Sequence, residues 1–389
     1  MTDRRRPAVI GCVLQPCVTA PERSLEELQY ELTRLVLADA GLAIEDIDGI
    51  VVAANDQYDG RAISVMAASG SVGGVGRDIL STPSAGEHAF VLAALRIASG
   101  QFRTQLVMSW SPLEASSISE AQRLAADPYF HRRLPLDELS AHALQASALA
   151  SSVRDLDDLA LSVVCKNRRN GKRAYPDFAV LPSDAAAVGA SRPIRWPIRE
   201  ADVAPPVAGL AAMVLASAEF VESQGLENAA FIDGMGWATE PTLLGDRDLT
   251  KLPGFAAASA RAYREAGVTD PLGKISMAEV ADATAYQELL AYEYLGLCPR
   301  ERWSERVGDG TFDADGKLPV NLSGGALTAN PVFCAGLMRI GEVANQMRGR
   351  AGPHQAGKLS RGVAHAASGM AMQYNTVVVM SNGQSGARA

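Results

Sequence analysis

The sequence predicts a mainly α/β protein in which helices cover both faces of a sheet. Short runs rich in β-branched residues alternate with longer helix-compatible segments along most of the 389 residues, a pattern typical of strand–helix–strand units. A helix that ends in Ala-Gly and is followed by an aspartate occurs twice, at 40–46 and at 266–270. This repetition predicts an internal duplication with halves at about 1–225 and 226–389. Two such halves packed together would form a five-layered αβαβα sandwich.

The first half contains well-marked strand and helix patterns. Pro7 to Leu14 is short, apolar and β-branched, which predicts a buried strand. Leu25 to Ala40 places leucines on one face of an amphipathic helix, and Gly41 is typical of a helix C-terminus. Further elements are predicted as a strand at 46–54, a buried helix at 88–99 and a strand at 105–110.

The second half repeats this alternation after an inserted loop domain at about 112–199. Strands are predicted at 229–234, 274–280, 318–322 and 375–380, and helices at 256–266 and from about residue 331. The insertion is expected to lie over the ligand pocket. It carries a basic cluster formed by Lys166, Arg168, Arg169, Lys172 and Arg173. Such a cluster either receives a phosphate-bearing ligand or forms a solvated helix end.

Composition and charge exclude several classes of function. A net charge of −8 without a basic stripe argues against nucleic acid as the main partner. No run approaches the roughly 18–20 apolar residues needed to cross a bilayer, and no signal-peptide pattern follows the basic start. The five cysteines are scattered and form no Cys-x-x-Cys pair, which predicts a reduced cytoplasmic protein without a metal site.

The segment Lys317–Ile340 contains the most informative motif. It has the order Asn-x-Ser-Gly-Gly-x-Leu, followed by Pro331 and Gly336. The pair Gly324 and Gly325 allows a sharp turn and a close approach of the backbone to a ligand. This order resembles the C-terminal active-site motif of thiolases, especially those of the sterol-carrier-protein type. Similar matches at 279–299, 86–100 and 362–379 extend the resemblance over most of the chain.

The resemblance implies a fold, a substrate class and an assembly. Thiolases have the five-layered αβαβα fold and act on coenzyme A thioesters. Coenzyme A would therefore arrive as part of an acyl-CoA substrate, and no covalently bound cofactor is expected. Thiolases are usually dimers or larger, which implies a homodimer whose interface is flanked by the helix at 88–99 and the strand at 105–110.

The positions that carry thiolase chemistry are altered. The nucleophilic cysteine corresponds to Pro83, with Ser84 beside it, and the histidine that activates that cysteine corresponds to Asn330. A family position that contributes to the oxyanion hole corresponds to Ala281. Proline cannot attack a thioester, and a serine needs an adjacent base that asparagine cannot supply. Claisen chemistry on this chain alone is therefore not expected.

Other polar groups remain where the family builds its pocket. Candidate catalytic residues are Asp282, Tyr286, His365 and Tyr374, and candidate substrate-binding residues are Ser84, Gly324, Gly325, Asn330, Ser368 and Gly369. Tyr286 would share a helical face with Asp282, and His365 falls in the expected last active-site loop. Histidine suits proton transfer near pH 7, and a tyrosine hydroxyl can donate to an enolate. Each of the four also has an ordinary structural interpretation as a packing, capping or hydrogen-bonding group.

Three functions remain open. A pocket with proton-transfer groups but no nucleophile fits retro-aldol cleavage of a β-hydroxyacyl-CoA. Some sterol-carrier-type relatives catalyse this reaction on steroid side chains together with a small OB-fold, zinc-ribbon protein. The alternative is a thiolase-like subunit of a Claisen-type acyltransferase complex that uses a nucleophile on a partner chain. The third is a non-catalytic scaffold.

Overall fold

A nine-stranded mixed sheet runs through the part of the chain that the structure describes, which is residues 3–16, 22–60, 62–111, 117–177, 181–357 and 359–383. The structure is a computed structural model. The strands are β1 (Pro7–Gln15), β2 (Gly49–Ala53), β3 (Asp78–Thr82), β4 (Thr104–Ser111), β5 (Pro193–Arg195), β6 (Ile198–Arg199), β7 (Gly209–Ser217), β8 (Ala230–Thr239), β9 (Met277–Glu279), β10 (Arg361–Ser368) and β11 (Tyr374–Ser381). Strands β5 and β6 form a separate small hairpin.

Helices pack on the faces of this sheet and between its two parts. They are α1 (Leu25–Ala40), α2 (Asp56–Asp59), α3 (Ser64–Ser71), α4 (Gly86–Ser99), α5 (Ile118–Ala125), α6 (Glu138–Ala150), α7 (Leu156–Ala174), α8 (Ala185–Gly189), α9 (Ala218–Ser223), α10 (Pro253–Glu265), α11 (Pro271–Lys274), α12 (Ala285–Tyr294), α13 (Trp303–Gly308) and α14 (Ala335–Arg348).

The strand order repeats in the two parts of the sheet. In the first part β1 pairs antiparallel with β7, β7 antiparallel with β4, and β4 parallel with β2. In the second, β8 pairs antiparallel with β11, β11 antiparallel with β10, and β10 parallel with β9. The first part has the additional edge strand β3, and the two parts meet where β1 pairs with β8 over only two residue pairs. This repeated order is what an internal duplication predicts.

Side-chain alternation along β1 separates two layers of core. Ala8 and Ile10 pack with residues of α1 and α3, whereas Val9 and Cys12 face the opposite way and pack with α4 and α14. The α4–α14 layer also contacts strands of the second part of the sheet, whose other face packs against α10 and α12. Helix, sheet, helix, sheet and helix therefore follow one another as the five layers of the thiolase fold.

Most of the predicted elements are confirmed within a few residues at their ends. Helix α1 has the predicted bounds. It begins at a reciprocal capping box in which the Glu27 backbone N–H donates to Ser24 Oγ at 3.2 Å and the Ser24 N–H donates to Glu27 Oε2 at 2.8 Å. It ends at Gly41, whose φ of 69° is the left-handed conformation that glycine adopts most easily.

Three predicted boundaries in the second half are wrong. No strand forms at 318–322, because Asn321 adopts a φ of 53° and only an isolated bridge joins Val320 to Ala278. The predicted strand at 274–280 shortens to β9, since the short helix α11 begins at Pro271. The helix expected from residue 331 begins at Ala335, after one 3₁₀ turn.

The inserted segment packs through α7 against helices α12 and α13, which follow β9. Its basic cluster is divided, with Lys166 and Arg168 buried and Arg169, Lys172 and Arg173 exposed. Lys166 Nζ lies 2.9 Å from Glu288 Oε1 and donates to the Val320 carbonyl at 2.8 Å, and Arg168 donates to the carbonyls of Pro182 and Ala201. Residues 1, 112 and 389 lie outside the described residues, so the predicted domain boundaries stay predictions.

Four of the five cysteines, at positions 12, 165, 298 and 334, are buried and unpaired, and Cys17 lies outside the described residues. No helix within the described ranges is both long and apolar enough to cross a lipid bilayer.

Candidate functional site

A cavity of about 510 Å³ opens where α4, α14 and the inserted segment meet. Its wall brings together chain segments that are far apart in sequence: Pro83–Ala85 before α4, Ala281–Ala283 after β9, Asn330 before α14, Ala367–Gly369 at the end of β10, and residues of α5 and α6. Of the predicted site residues, Ser84, Asp282, Asn330, Ser368, Gly369 and Tyr374 line this cavity. Its volume lies in the range of small-molecule sites.

The three positions that the resemblance identifies as altered thiolase positions, Pro83, Ala281 and Asn330, all line the cavity. None of the four described cysteines lines it. Cys334 comes close in sequence, but it is fully buried, and burial raises the pKa of its thiol well above the ordinary value. A thiolate nucleophile is therefore disfavoured at this site.

Asp282 joins segments of the cavity wall through hydrogen bonds. Its carboxylate accepts hydrogen bonds from the backbone N–H groups of Ala326 at 2.6 Å and Leu327 at 3.2 Å, and from Asn167 Nδ2 at 2.8 Å. Burial raises the pKa of this carboxyl group to about 7. Because both oxygens already accept hydrogen bonds, Asp282 is built to hold the loop after β9 against the Ser-Gly-Gly turn.

The two glycines shape the wall and do not line it. Gly324 and Gly325 have φ values of 89° and 64°. A Cβ atom on Gly325 would overlap Asp282 Oδ2, and one on Gly324 would overlap the backbone of Gly171 in α7. The turn thus fits between α7 and Asp282 only as glycine, and it places Ala326 and Asn330 at the cavity surface.

A buried ion pair lies beside this turn. Arg339 Nη1 donates to Glu279 Oε2 at 2.8 Å and to Ser323 Oγ at 2.7 Å, and Ser323 Oγ donates to Glu279 Oε2 at 2.6 Å. Arg339 also lines the cavity, although it is only 4% exposed. The Glu279 carboxylate compensates the charge of this guanidinium, so Arg339 can act on a bound molecule mainly as a hydrogen-bond donor.

Tyr374 lies at the mouth of the cavity, where it is 39% exposed. It pairs with Ser368 across β10 and β11, and its ring packs against Gly369, where a Cβ atom would lie only 3.1 Å from Tyr374 Cδ2. The ring meets His88, another cavity residue, edge-on with 5.8 Å between ring centroids. A hydroxyl and an imidazole are thereby placed on one side of the cavity.

His365 lies in strand β10 and not in a loop, and it does not line the cavity. Its ring is fully buried and stacks on Phe255 with 3.8 Å between centroids. Its Nε2 lies 3.1 Å from Asn375 Oδ1, and Asn375 Nδ2 donates to the Met372 carbonyl at 2.8 Å. Burial lowers the pKa of His365 to about 3, so the ring stays neutral near pH 7 and supports the turn between β10 and β11.

Tyr286 also lies away from the cavity. It occupies α12 and is 2% exposed, and burial together with the nearby carboxylates of Asp202 and Asp157 raises the pKa of its hydroxyl. Asp282 precedes α12, so the two residues do not share a helical face as predicted. The expectation that Tyr286 and His365 face one pocket is wrong because both side chains point into the core beside the second part of the sheet.

Sequence reasoning missed several cavity residues. His88 and Arg339 were not among the predicted site residues, although both line the cavity. Gln122, Glu138 and His142 come from the inserted segment, where the resemblance to thiolases offers no motif. The sequence signal for two of these residues is the spacing of Glu138 and His142, which are four residues apart and therefore on one face of α6.

Comparisons with known proteins agree with this geometry. The family model described as "Thiolase C-terminal domain-like" matches residues 237–382. Sterol carrier protein 2 from Oryctolagus cuniculus is 34% identical over 174 residues, which are 43% of this chain and 31% of that protein. The solved structure named Ltp2-ChsH2(DUF35) aldolase superposes with a TM-score of 0.80 at 20% identity, covering 98% of this chain and 100% of that chain. This chain is a thiolase-fold protein.

A further relative of this thiolase-fold protein is named as part of a complex. The benzoylsuccinyl-CoA thiolase subunit BbsB from Thauera aromatica is 28% identical over 223 residues, which are 57% of each chain. The match to sterol carrier protein 2 spans about a third of the length of that relative. The activities of these whole proteins therefore enter only as proposals for this chain.

Replacement of Gly325 tests the close contact behind the wall. Gly325→Ala adds the cost of a left-handed alanine, about 1–2 kcal/mol, and forces a methyl group against Asp282 Oδ2. Gly267→Ala is the matched control, since Gly267 has a φ of 63° with no atom within 4 Å of the added Cβ. In urea unfolding, Gly325→Ala should lose about 1–3 kcal/mol more stability than the control, the usual cost of overpacking. Equal losses in the two variants would contradict the contact.

Removal of the Tyr286 hydroxyl tests its structural role. Tyr286→Phe removes only the hydroxyl of a buried ring, which should lower the free energy of unfolding by no more than about 0.5–1.5 kcal/mol, the net value of one hydrogen bond. The measured turnover number should stay near that of the unchanged protein, because the side chain does not line the cavity. A loss of turnover with unchanged stability would instead return Tyr286 to the reacting centre.

Proposed function

We propose that this chain cleaves a carbon–carbon bond of a β-hydroxyacyl-CoA thioester by a retro-aldol reaction. The observation that carries the proposal is the combination found in one cavity: the nucleophile and base positions are Pro83 and Asn330, yet hydrogen-bond donors and titratable groups remain. The structural neighbour named as an aldolase, aligned over 98% of this chain, supports the same reaction class. A retro-aldol reaction needs a base and an oxyanion site, and it needs no acyl-enzyme.

The reaction places three demands on the cavity. A base removes the proton of the β-hydroxyl group, and the O–H electron pair forms a carbonyl as the Cα–Cβ bond breaks. The electrons of that bond pass into the thioester, whose oxygen becomes an enolate oxygen. Protonation at Cα then yields the shortened acyl-CoA, so one hydroxyacyl thioester gives one carbonyl compound and one thioester.

The enolate oxygen would lie near the start of α4. Ala85 is the N-cap residue and supplies no side-chain hydrogen bond to the first turn, so the first backbone N–H groups are available to another acceptor. The helix dipole adds a partial positive charge at the same end. Ala85 and Arg339 both line the cavity, and a donor set of this kind typically contributes about 2.7–4 kcal/mol per donor to catalysis.

The other predicted site residues receive different roles in this proposal. Tyr374, Ser84 and Ser368 offer hydroxyl groups that can hold the substrate at the cavity mouth. Asp282, Gly324 and Gly325 position the wall, and His365 supports the turn before Tyr374. We extend the proposal to acyl groups of the steroid side-chain type, which a largely apolar cavity of about 510 Å³ can accommodate.

A second candidate function is a thiolase-like subunit of a complex with a partner that carries the nucleophile. Similarity to a protein named as a thiolase subunit favours it. Co-purification from the native source distinguishes the two candidates. An active complex with a cysteine-containing thiolase and no aldolase activity would favour the subunit.

We also propose that the protein works as a homodimer with a small OB-fold, zinc-ribbon protein. Two observations support this assembly. Strand β3 is an edge of the sheet and exposes Leu80 to 44%, which leaves backbone groups free for pairing with another chain. The aligned aldolase carries a second component, ChsH2(DUF35), in its name.

Incubation with β-hydroxyacyl-CoA thioesters tests the reaction. We expect a carbonyl product and a shortened acyl-CoA in equal amounts, detected by liquid chromatography and mass spectrometry. The intact protein mass should stay unchanged, because Pro83 occupies the nucleophile position. A stable acyl adduct that disappears in Ser84→Ala would reverse this proposal in favour of acyl transfer.

Light scattering tests the assembly. The purified chain should have twice its 41.0 kDa mass at micromolar concentration, and Leu80→Lys at the edge strand should shift it toward the monomer, since inward or edge charges oppose strand pairing. The same replacement at exposed Leu144 on α6 is the control. A monomeric mass for the unchanged chain would contradict the homodimer.

A further inference from the structure

The inserted segment contributes a connected polar chain to the cavity wall. Gln122 Nε2 donates to Glu138 Oε2 in a short hydrogen bond, and Glu138 Oε1 lies 3.9 Å from His142 Nε2. On its other side, His142 Nδ1 accepts a hydrogen bond from Gln287 Nε2 at 2.9 Å. Gln122, Glu138 and His142 all line the cavity. These connected polar side chains have no role in the reaction as described so far.

The hydrogen bonds determine which atoms face the cavity. Because His142 Nδ1 accepts from Gln287, its proton is on Nε2, which points at Glu138 Oε1. Gln122 occupies the other carboxylate oxygen of Glu138. Oε1 therefore remains the oxygen that can accept a proton from a bound molecule, with the His142 N–H at a distance where it stabilises the negative charge but does not block the oxygen.

The surroundings of Glu138 suit a proton acceptor near neutral pH. Its side chain is 27% exposed, toward the cavity, while that of His142 is 6% exposed. Burial and the neighbouring carboxylate of Asp137 raise the pKa of Glu138 to about 7, and burial lowers the pKa of His142 to about 4. A base whose pKa lies near the working pH is the most effective for general acid–base catalysis.

The other charged and titratable groups around Glu138 are few. Asp137 precedes it and lies 3.9 Å from Arg195 Nη1, which compensates part of its charge. Tyr58, from α2, faces Glu138, whose charge helps to raise the pKa of the phenol. With Asp137 and Tyr58 beside it, Glu138 still lines the cavity. By contrast, both oxygens of Asp282 already accept hydrogen bonds, and His365 does not line the cavity.

We propose that Glu138 is the general base that takes the β-hydroxyl proton, and that His142 positions and orients it. The inference rests on the proposed retro-aldol function. Glu138 carboxylate gains the proton, the hydroxyl oxygen becomes a carbonyl, and the Cα–Cβ electron pair becomes the enolate. Glu138 then returns the proton to Cα, directly or through a water molecule, and the carboxylate is restored.

This assignment also orients the substrate. The β-hydroxyl carbon must lie against α6, and the thioester must lie toward the start of α4 and Arg339. The carbonyl product therefore forms beside the inserted segment, and the shortened thioester forms beside the five-layered core. Residues of α5 and α6, such as Ile118 and Leu139, would then determine which carbonyl product fits.

Glu138→Gln tests the base. It keeps an oxygen that can accept from Gln122 but cannot take up the proton, so kcat should fall by about 10²–10⁴-fold while the melting temperature stays close to that of the unchanged protein. The matched control is Glu120→Gln, an exposed glutamate in the first turn of neighbouring α5, which should leave kcat unchanged. Both are assayed as the full complex with the partner and a β-hydroxyacyl-CoA.

The pH profile separates a reacting base from a structural carboxylate. Since Glu138 must be deprotonated to act, kcat/KM should fall as the pH decreases through about 7, the pKa of this group. His142→Asn removes the N–H that faces the carboxylate, so this limb should move to higher pH with little change in KM. A role in folding alone would change stability and leave the limb in place.

The outcomes distinguish the two levels of the proposal. An unchanged protein that cleaves no β-hydroxyacyl-CoA in the complex would overturn the retro-aldol function and the base with it. Cleavage that is equally fast in Glu138→Gln would overturn the base alone. If Glu138→Gln does not fold, the profile of the unchanged protein decides: a kcat/KM without a limb near pH 7 would overturn Glu138.

Discussion

The Asp282 carboxylate is the constraint on which the cavity depends. Its three hydrogen bonds join the loop after β9, the turn before α14 and helix α7 of the insertion. A buried carboxylate left without donors would cost far more than an ordinary lost contact, so these three segments hold one another in register. The Gly324–Gly325 turn fits under the carboxylate only without side chains. The hydrogen bonds of Asp282, a candidate catalytic residue, thus give it a structural role.

Much of the fold follows from local sequence. Helix α1 could be predicted to the residue because a leucine face and Gly41 agree with one another. The prediction of a strand at 318–322 was wrong because an apolar pattern indicates burial and does not require a strand. Val320 is buried but forms only an isolated bridge. Left-handed Asn321, which ends the extended segment, has no reliable signature in a single sequence.

The candidate site was harder to predict because it is assembled from distant segments. Motif matching identified Ser84, Asn330 and Ser368 correctly as neighbours. It misplaced His365 and Tyr286, since a sequence position near a motif does not reveal the direction of a side chain. Glu138 and His142 could not be ranked at all, because only the packing of the insertion brings α6 to the cavity. Cavity residues that come from an insertion cannot be found by comparison with the core motifs.

The two ends of the nine-stranded sheet are not alike. At one end β3 is the edge strand, and at the other end β9 is only three residues long. The segment before the Ser-Gly-Gly turn covers β9. There the Ala278 N–H donates to the Pro319 carbonyl at 3.0 Å, and the Asn321 N–H donates to the Ala278 carbonyl at 2.9 Å. Growth of a fibre by strand addition requires two open ends on each copy. With the β9 end covered, a further strand could extend this sheet only beside β3, within the part of the chain that the structure describes. The covered β9 edge therefore makes the sheet extendable in one direction only.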